Sequence, residues 1–163
     1  FTKARHSLPG LKLIIAPRHP EKPEQLTALE DILQNDNLQY DYRSKVTAAT
    51  LQLKDVLIID TFGELKALYS AADACYVGIN HNILEPLSLG KPVAVLNNWE
   101  PSYPSYPVFK IAQEAKMVTI IDDADALAKF LQNISMKTDY KDPYFKRLES
   151  LSGALSSNIE LIG

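Results

Sequence analysis

At 163 residues the chain fits a prior of roughly 100 to 200 residues per domain, so one domain, 1–163, around one core is expected. With 17 Lys and Arg against 20 Asp and Glu the formal charge is −3, and 46% of residues are hydrophobic; this excludes a disordered chain and a polyanion-coating, nucleic-acid-binding surface. The single cysteine excludes an internal disulfide framework, which fits a reducing compartment, and no apolar run approaches the roughly 20 residues of a membrane span.

Residues 11–16 (LKLIIA) are nearly continuous apolar chain between Pro9-Gly10 and Pro17, the pattern of a strand buried on both faces. Leu26, Leu29, Ile32 and Leu33 then recur at helical spacing, and the run ends at residues 35–37. A weak strand is expected at 40–42, followed by a polar stretch through Thr50 with no readable conformation. Residues 56–59 (VLII) form the next strand, and Thr61-Phe62-Gly63 leads into a helix with Leu65, Leu68 and Tyr69 on one side. Residues 74–77 predict a strand, 82–89 a short helix stopped by Gly90, and 92–96 another strand. Residues 97–107 hold three of the ten prolines and read as a structured loop. A helix at 108–116, a strand at 117–121 and a helix at 124–133 follow. Tyr144, Leu148, Leu151 and Leu155 predict a last amphipathic helix within 143–162, packing on this domain or reaching to another. The chain opens on Phe1 with no signal-peptide pattern, so a longer parent protein is expected.

Short apolar strands alternating with amphipathic helices predict a doubly wound α/β fold with a parallel sheet. Ligands bind such sheets beyond the carboxyl ends of the strands, which selects the residues after Ala16, Ile59, Val77 and Leu96. After the first stand Arg18 and His19, where Arg18 either grips a phosphate or pairs with Glu21 or Glu24. After the next stand Phe62, Gly63, Glu64 and Leu65, a turn suited to an anion, or one in which Thr61 and Glu64 only form a capping box. Gly78, Asn80, His81, Asn82 and Glu85 crowd the third connection and suit sugar and ribose hydroxyls. The local alternative has Asn82 capping the helix and His81 pairing with Glu85. Trp99 is assigned to packing, Cys75 to an inert buried thiol, and Asp122-Asp123 to a helix cap in preference to a magnesium site. The three histidines, His6, His19 and His81, are too scattered for a metal centre, and no P-loop, G-x-G-x-x-G or G-x-S-x-G motif occurs.

Three ordered motifs are specific enough to name a family. Ala16-Pro17-Arg18-His19-Pro20-Glu21, Asp60-Thr61-Phe62-Gly63-Glu64-Leu65 with Tyr69, and His81-Asn82-Ile83-Leu84-Glu85-Pro86 with Gly90-Lys91-Pro92-Val93 resemble the C-terminal domain of the 3-deoxy-D-manno-octulosonic acid (Kdo) transferases. The resemblance covers about residues 11–131. It implies the second Rossmann-like domain of a GT-B glycosyltransferase, binding the CMP part of the donor CMP-Kdo. Arg18 and Gly63-Glu64-Leu65 are then expected on the nucleotide and its phosphate, and His81, Asn82 and Glu85 in the donor pocket. Strand-end position adds His19, Phe62 and Asn80 to that donor-binding set. No cofactor or metal is implied. The catalytic acidic residue, the lipid A precursor acceptor site and the membrane anchor are expected in an N-terminal domain, at the cytoplasmic side of a bacterial inner membrane. Family members usually carry a longer glycine-rich stretch before the histidine, whereas this chain has Gly78-Ile79-Asn80. Two alternatives stay open at this point: a non-catalytic nucleotide-sugar or partner-binding module, and a GT-B relative using a UDP-sugar.

Overall fold

The computed structural model describes residues 1–46 and 54–135. The helix expected around 144–155 lies outside the described residues, as does the end of the polar stretch, 47–53. The chain divides into two compact units, Phe1–Leu68 and Tyr69–Gly163.

The first unit runs α1 (Thr2–Arg5), β1 (Leu13–Ile15), α2 (Pro23–Asn35), β2 (Tyr40–Tyr42), a 3-10 turn (Arg43–Lys45) and β3 (Val56–Ile58). Its strands form a parallel sheet in the order β1-β3-β2, with Ile15 and Tyr42 both in register with Ile58. Central β3 is fully buried, while β1 and β2, each with one neighbour in this sheet, are half-buried. The expectation that the first strand is buried on both faces is therefore corrected. Pro23 opens α2, where its fixed φ and missing N–H fit the first turn. Leu26, Leu29 and Leu33 pack against Val56, Ile58, Leu13 and Ile15. Ile32, expected on that stripe, is 61% exposed, because one residue of helix turns it about 100° away from Leu33. Asn37 closes α2 at φ 53°, with Leu38 N–H donating to the Leu33 carbonyl at 2.8 Å.

Helix α3 (Leu65–Ala71) leads from the first unit into the second, which continues with β4 (Cys75–Val77), α4 (Leu84–Ser88), β5 (Val93–Val95), α5 (Tyr106–Glu114), β6 (Val118–Ile120) and α6 (Ala124–Ser135). The strand order is β4-β5-β6, again all parallel, with Cys75, Val93 and Val118 in register. Because side chains alternate across a strand, the two faces of this sheet build separate cores. Cys75, Val77, Val93 and Val95 pack with Ile83, Leu87, Phe109 and Ala112 from α4, α5 and the connection before α4. Ala94 faces the other way, onto Phe130 of α6 and Ile121. Among the described residues the single expected core is thus three clusters, one in the first unit and two in the second. Gly90 stops α4 as expected, at φ 67°, with Lys91 N–H on the Pro86 carbonyl at 3.1 Å. Helix α5 starts two residues before the expected 108, since Pro107 suits a first helical turn, so the loop is shorter than read from sequence. Among the described residues no helix is long and apolar enough to cross a membrane.

Candidate functional site

In the first unit the parallel register brings three strand ends to one edge. Arg18 and His19 follow β1, residues 61–65 follow β3, and Arg43 and Ser44 follow β2 directly. Arg18 is exposed and, among the described residues, has neither of the acid partners offered by the local reading. It is His19 that takes Glu21, with Nδ1 3.0 Å from Oε1. Between two prolines, the guanidinium of Arg18 is left facing solvent at the carboxyl edge of the sheet.

The turn after β3 passes through Gly63 at φ 83°, a conformation that costs an L-residue energy and glycine little. Phe62 beside it is 73% exposed and Leu65 is 40% exposed. The capping box expected of Thr61 and Glu64 is not what forms. The Thr61 hydroxyl donates instead to Glu64 Oε1 at 2.7 Å, a contact between the two side chains. Arg43 Nε donates to Glu64 Oε2 at 2.8 Å. These two bonds, Thr61's first, hold the Glu64 carboxyl below the ordinary glutamate range. Burial would raise Asp60, but the Ser44 hydroxyl and the Ser44 backbone N–H, the latter at 2.9 Å, both donate to it and leave it depressed.

In the second unit Val77 and Val95 are register partners, so the connections leaving β4 and β5 start side by side. Asn80 lies in the left-handed region at φ 63°, and its Oδ1 accepts the Glu100 N–H at 3.0 Å. Its side-chain oxygen therefore ties the two connections together, a tie the sequence reading, which offered Asn80 to a ligand, did not anticipate. Asn82 Oδ1 accepts the Leu84 N–H at 3.0 Å, closing an Asx turn one residue ahead of the N-cap Ile83, so the helix cap offered by the local reading does not form. The His81 imidazole lies over Gly78: a methyl on Gly78 would come 3.5 Å from the ring Cδ2. Glu85 is half-buried in the first turn of α4; burial first, then Cys75 and Glu85, push the Tyr69 phenol up to about 12.

The bland assignments hold elsewhere. Trp99 is 5% exposed and stacks on Phe109 with ring centroids 4.7 Å apart. Burial pushes the Cys75 thiol up to about 11, out of nucleophilic range. Asp123 Oδ1 accepts the Ala126 N–H at 2.7 Å, capping α6. Among the described residues no group of three or more His, Cys, Asp or Glu is placed to hold a metal ion.

Ten residues were expected at a donor site. Arg18, His19, Phe62, Gly63, Glu64 and Leu65 gather at the strand ends of the first unit, and Asn80, His81, Asn82 and Glu85 at those of the second. Sequence reasoning missed Arg43 and Ser44. The signal was available, because the strand-end rule applies to 40–42 as much as to the other strands.

No protein-family model matches the chain. A solved structure does: the C-terminal CMP-Kdo binding domain of WaaA from Acinetobacter baumannii, with a TM-score of 0.72 and 23% identity, covering 91% of this chain and 79% of that one. The fold is accordingly the α/β fold of that domain, with all strands parallel as expected. In sequence, 91 residues are 42% identical to the 3-deoxy-D-manno-octulosonic acid transferase of Chlamydophila psittaci, covering 52% of this chain and 20% of that protein. A further 131-residue match is 29% identical to the enzyme of the same name from Haemophilus influenzae, covering 76% of this chain and 29% of the relative. The chain is similar in sequence to Kdo transferases and spans less than a third of the length of these two enzymes.

Proposed function

We propose that this chain is the donor-binding domain of a glycosyltransferase that moves Kdo from CMP-Kdo to a lipid A precursor in lipopolysaccharide core synthesis. The observation that carries the reading is Arg18. It is an exposed guanidinium without an acid partner among the described residues, at the carboxyl edge of a parallel sheet, in a chain related to Kdo transferases. In this reading Arg18 and the turn at Gly63, Glu64 and Leu65 face the CMP phosphate, Phe62 lies against the nucleotide, and His19 steadies the Arg18 loop through Glu21. In the second unit, taken by itself, His81, Asn82 and Glu85 offer groups suited to sugar hydroxyls, while Asn80 shapes their connection.

In the reaction, the bond between the anomeric carbon of Kdo and the phosphate oxygen breaks, and an acceptor hydroxyl oxygen bonds to that carbon from the opposite face. The hydroxyl proton passes to an acidic residue outside this chain, and CMP leaves with the bonding pair. Arg18 stabilises the charge gathering on the departing phosphate, which is the electrostatic part of catalysis this domain supplies. The acceptor, the acid and attachment to the cytoplasmic face of the bacterial inner membrane belong to parts of the parent protein outside this chain. No metal or cofactor is assigned to the step.

The test is Arg18→Ala, with CMP affinity measured by calorimetry. Loss of a charge-assisted hydrogen bond predicts weaker binding by about 1.5–3 kcal/mol. Unchanged affinity removes Arg18 from the site.

A further inference from the structure

We infer that Arg43 is a positioning residue for the donor: by gripping Glu64 it fixes the turn at residues 61–64 in the form that receives the nucleotide. The inference rests on the donor-binding reading and extends it to a residue that need not touch the ligand.

Apolar packing does little to hold this turn. Phe62 is 73% exposed, and a methyl group built on Gly63 would meet no atom within 4 Å. Polar contacts bracket it instead. At its start, Asp60 is bonded twice by Ser44, through the hydroxyl and the backbone N–H. At its end, each Glu64 oxygen has its own donor, Thr61 at 2.7 Å and Arg43 Nε at 2.8 Å, so the carboxylate cannot rotate freely. Arg43 is itself fixed from a second direction, since its Nη1 donates to the Val46 carbonyl at 3.2 Å. Arg43 and Ser44 are consecutive residues at the end of β2, and both clamps therefore hang from one short 3-10 turn. A lysine at position 43 offers one point charge and cannot reproduce two bonds from a planar fork. Without the clamp the turn samples other conformations, and apparent affinity falls by the fraction of time it spends in the competent one.

Arg5 supplies a matched control. It makes a 2.7 Å ion pair with Asp55, the residue before β3, at the end of that strand opposite the turn. CMP titrations of the full chain would compare wild type, Arg43→Ala, Arg43→Lys and Arg5→Ala, with amide exchange of residues 62–64 followed in each. Arg43→Ala should bind CMP about tenfold more weakly and exchange faster at 62–64, the loss of a charged hydrogen bond amounting to roughly one decade. Arg43→Lys should recover part of the affinity, and Arg5→Ala should stay within about twofold of wild type. Wild-type affinity in Arg43→Ala, or an equal loss in Arg5→Ala, overturns the inference while leaving the donor reading in place. A wild-type chain that binds no CMP overturns both.

Discussion

Two glycines isolate the backbone contribution to the turn after β3. A Cβ added at Gly63 or at Gly10 would meet no atom within 4 Å, so neither Gly→Ala change creates a clash. They differ in φ: Gly63 lies at 83°, in the left-handed region, and Gly10 lies outside it. Placing alanine in the left-handed region costs about 1–2 kcal/mol. Against this, alanine restricts the unfolded chain and returns about 0.4–1 kcal/mol at either site. Gly63→Ala should therefore destabilise by roughly 1 kcal/mol, lowering the thermal midpoint by about 2–4 °C. Gly10→Ala should be neutral or raise the midpoint by a degree or two, on the order of the unfolded-state gain alone. Differential scanning calorimetry of the two variants beside wild type is the assay, with urea midpoints as a second readout. Equal shifts in both variants would refute the assignment of a left-handed turn at Gly63.

Acid should weaken the fold through Asp55, Asp60 and Glu64, all of which titrate below their ordinary values in the folded chain. Asp55 is lowered first by the Gln39 backbone N–H and then by Arg5. A depressed folded value means that the stabilisation is complete above the ordinary values of 3.8 for aspartate and 4.5 for glutamate, and is lost as pH falls through the folded ones. Urea midpoints measured against pH should be flat near neutrality and fall below about 4, and Asp55→Asn should flatten part of that fall. Cys75, buried and with its thiol pushed up to about 11, should resist a thiol reagent in the folded protein at neutral pH and react fully in urea. Rapid labelling of native protein would contradict that burial.

Local pattern carried much of the fold. The strand at 40–42 has the bounds read from sequence, Tyr40–Tyr42, and the strands read at 56–59, 92–96 and 117–121 each lose only end residues. The helix stops were legible too, at Gly90 to the residue and at 35–37 as a short polar run within which Asn37 takes the left-handed closing position. Ile32 was misplaced because a four-residue apolar set is wider than the stripe that Leu26, Leu29 and Leu33 bury.

The candidate site was legible as a set of strand ends and illegible as a set of contacts. Arg43 and Glu64 are 21 residues apart, Ser44 and Asp60 16, and Asn80 and Glu100 20. Nothing periodic links such pairs; they meet because parallel strands end at one edge. The local alternative that pairs Arg18 with Glu21 or Glu24 gave way to an equally local contact, His19 with Glu21, which residue spacing alone does not distinguish from it.

The central claim is that this domain recognises a cytidine nucleotide. Calorimetric titration of the chain with CMP, and with UDP and AMP as controls, tests it most directly. Saturable binding of CMP, in the millimolar range or tighter and preferred over both controls, is the predicted result. Equal weakness toward all three would contradict it, and a preference for UDP would assign the fold to a different sugar nucleotide.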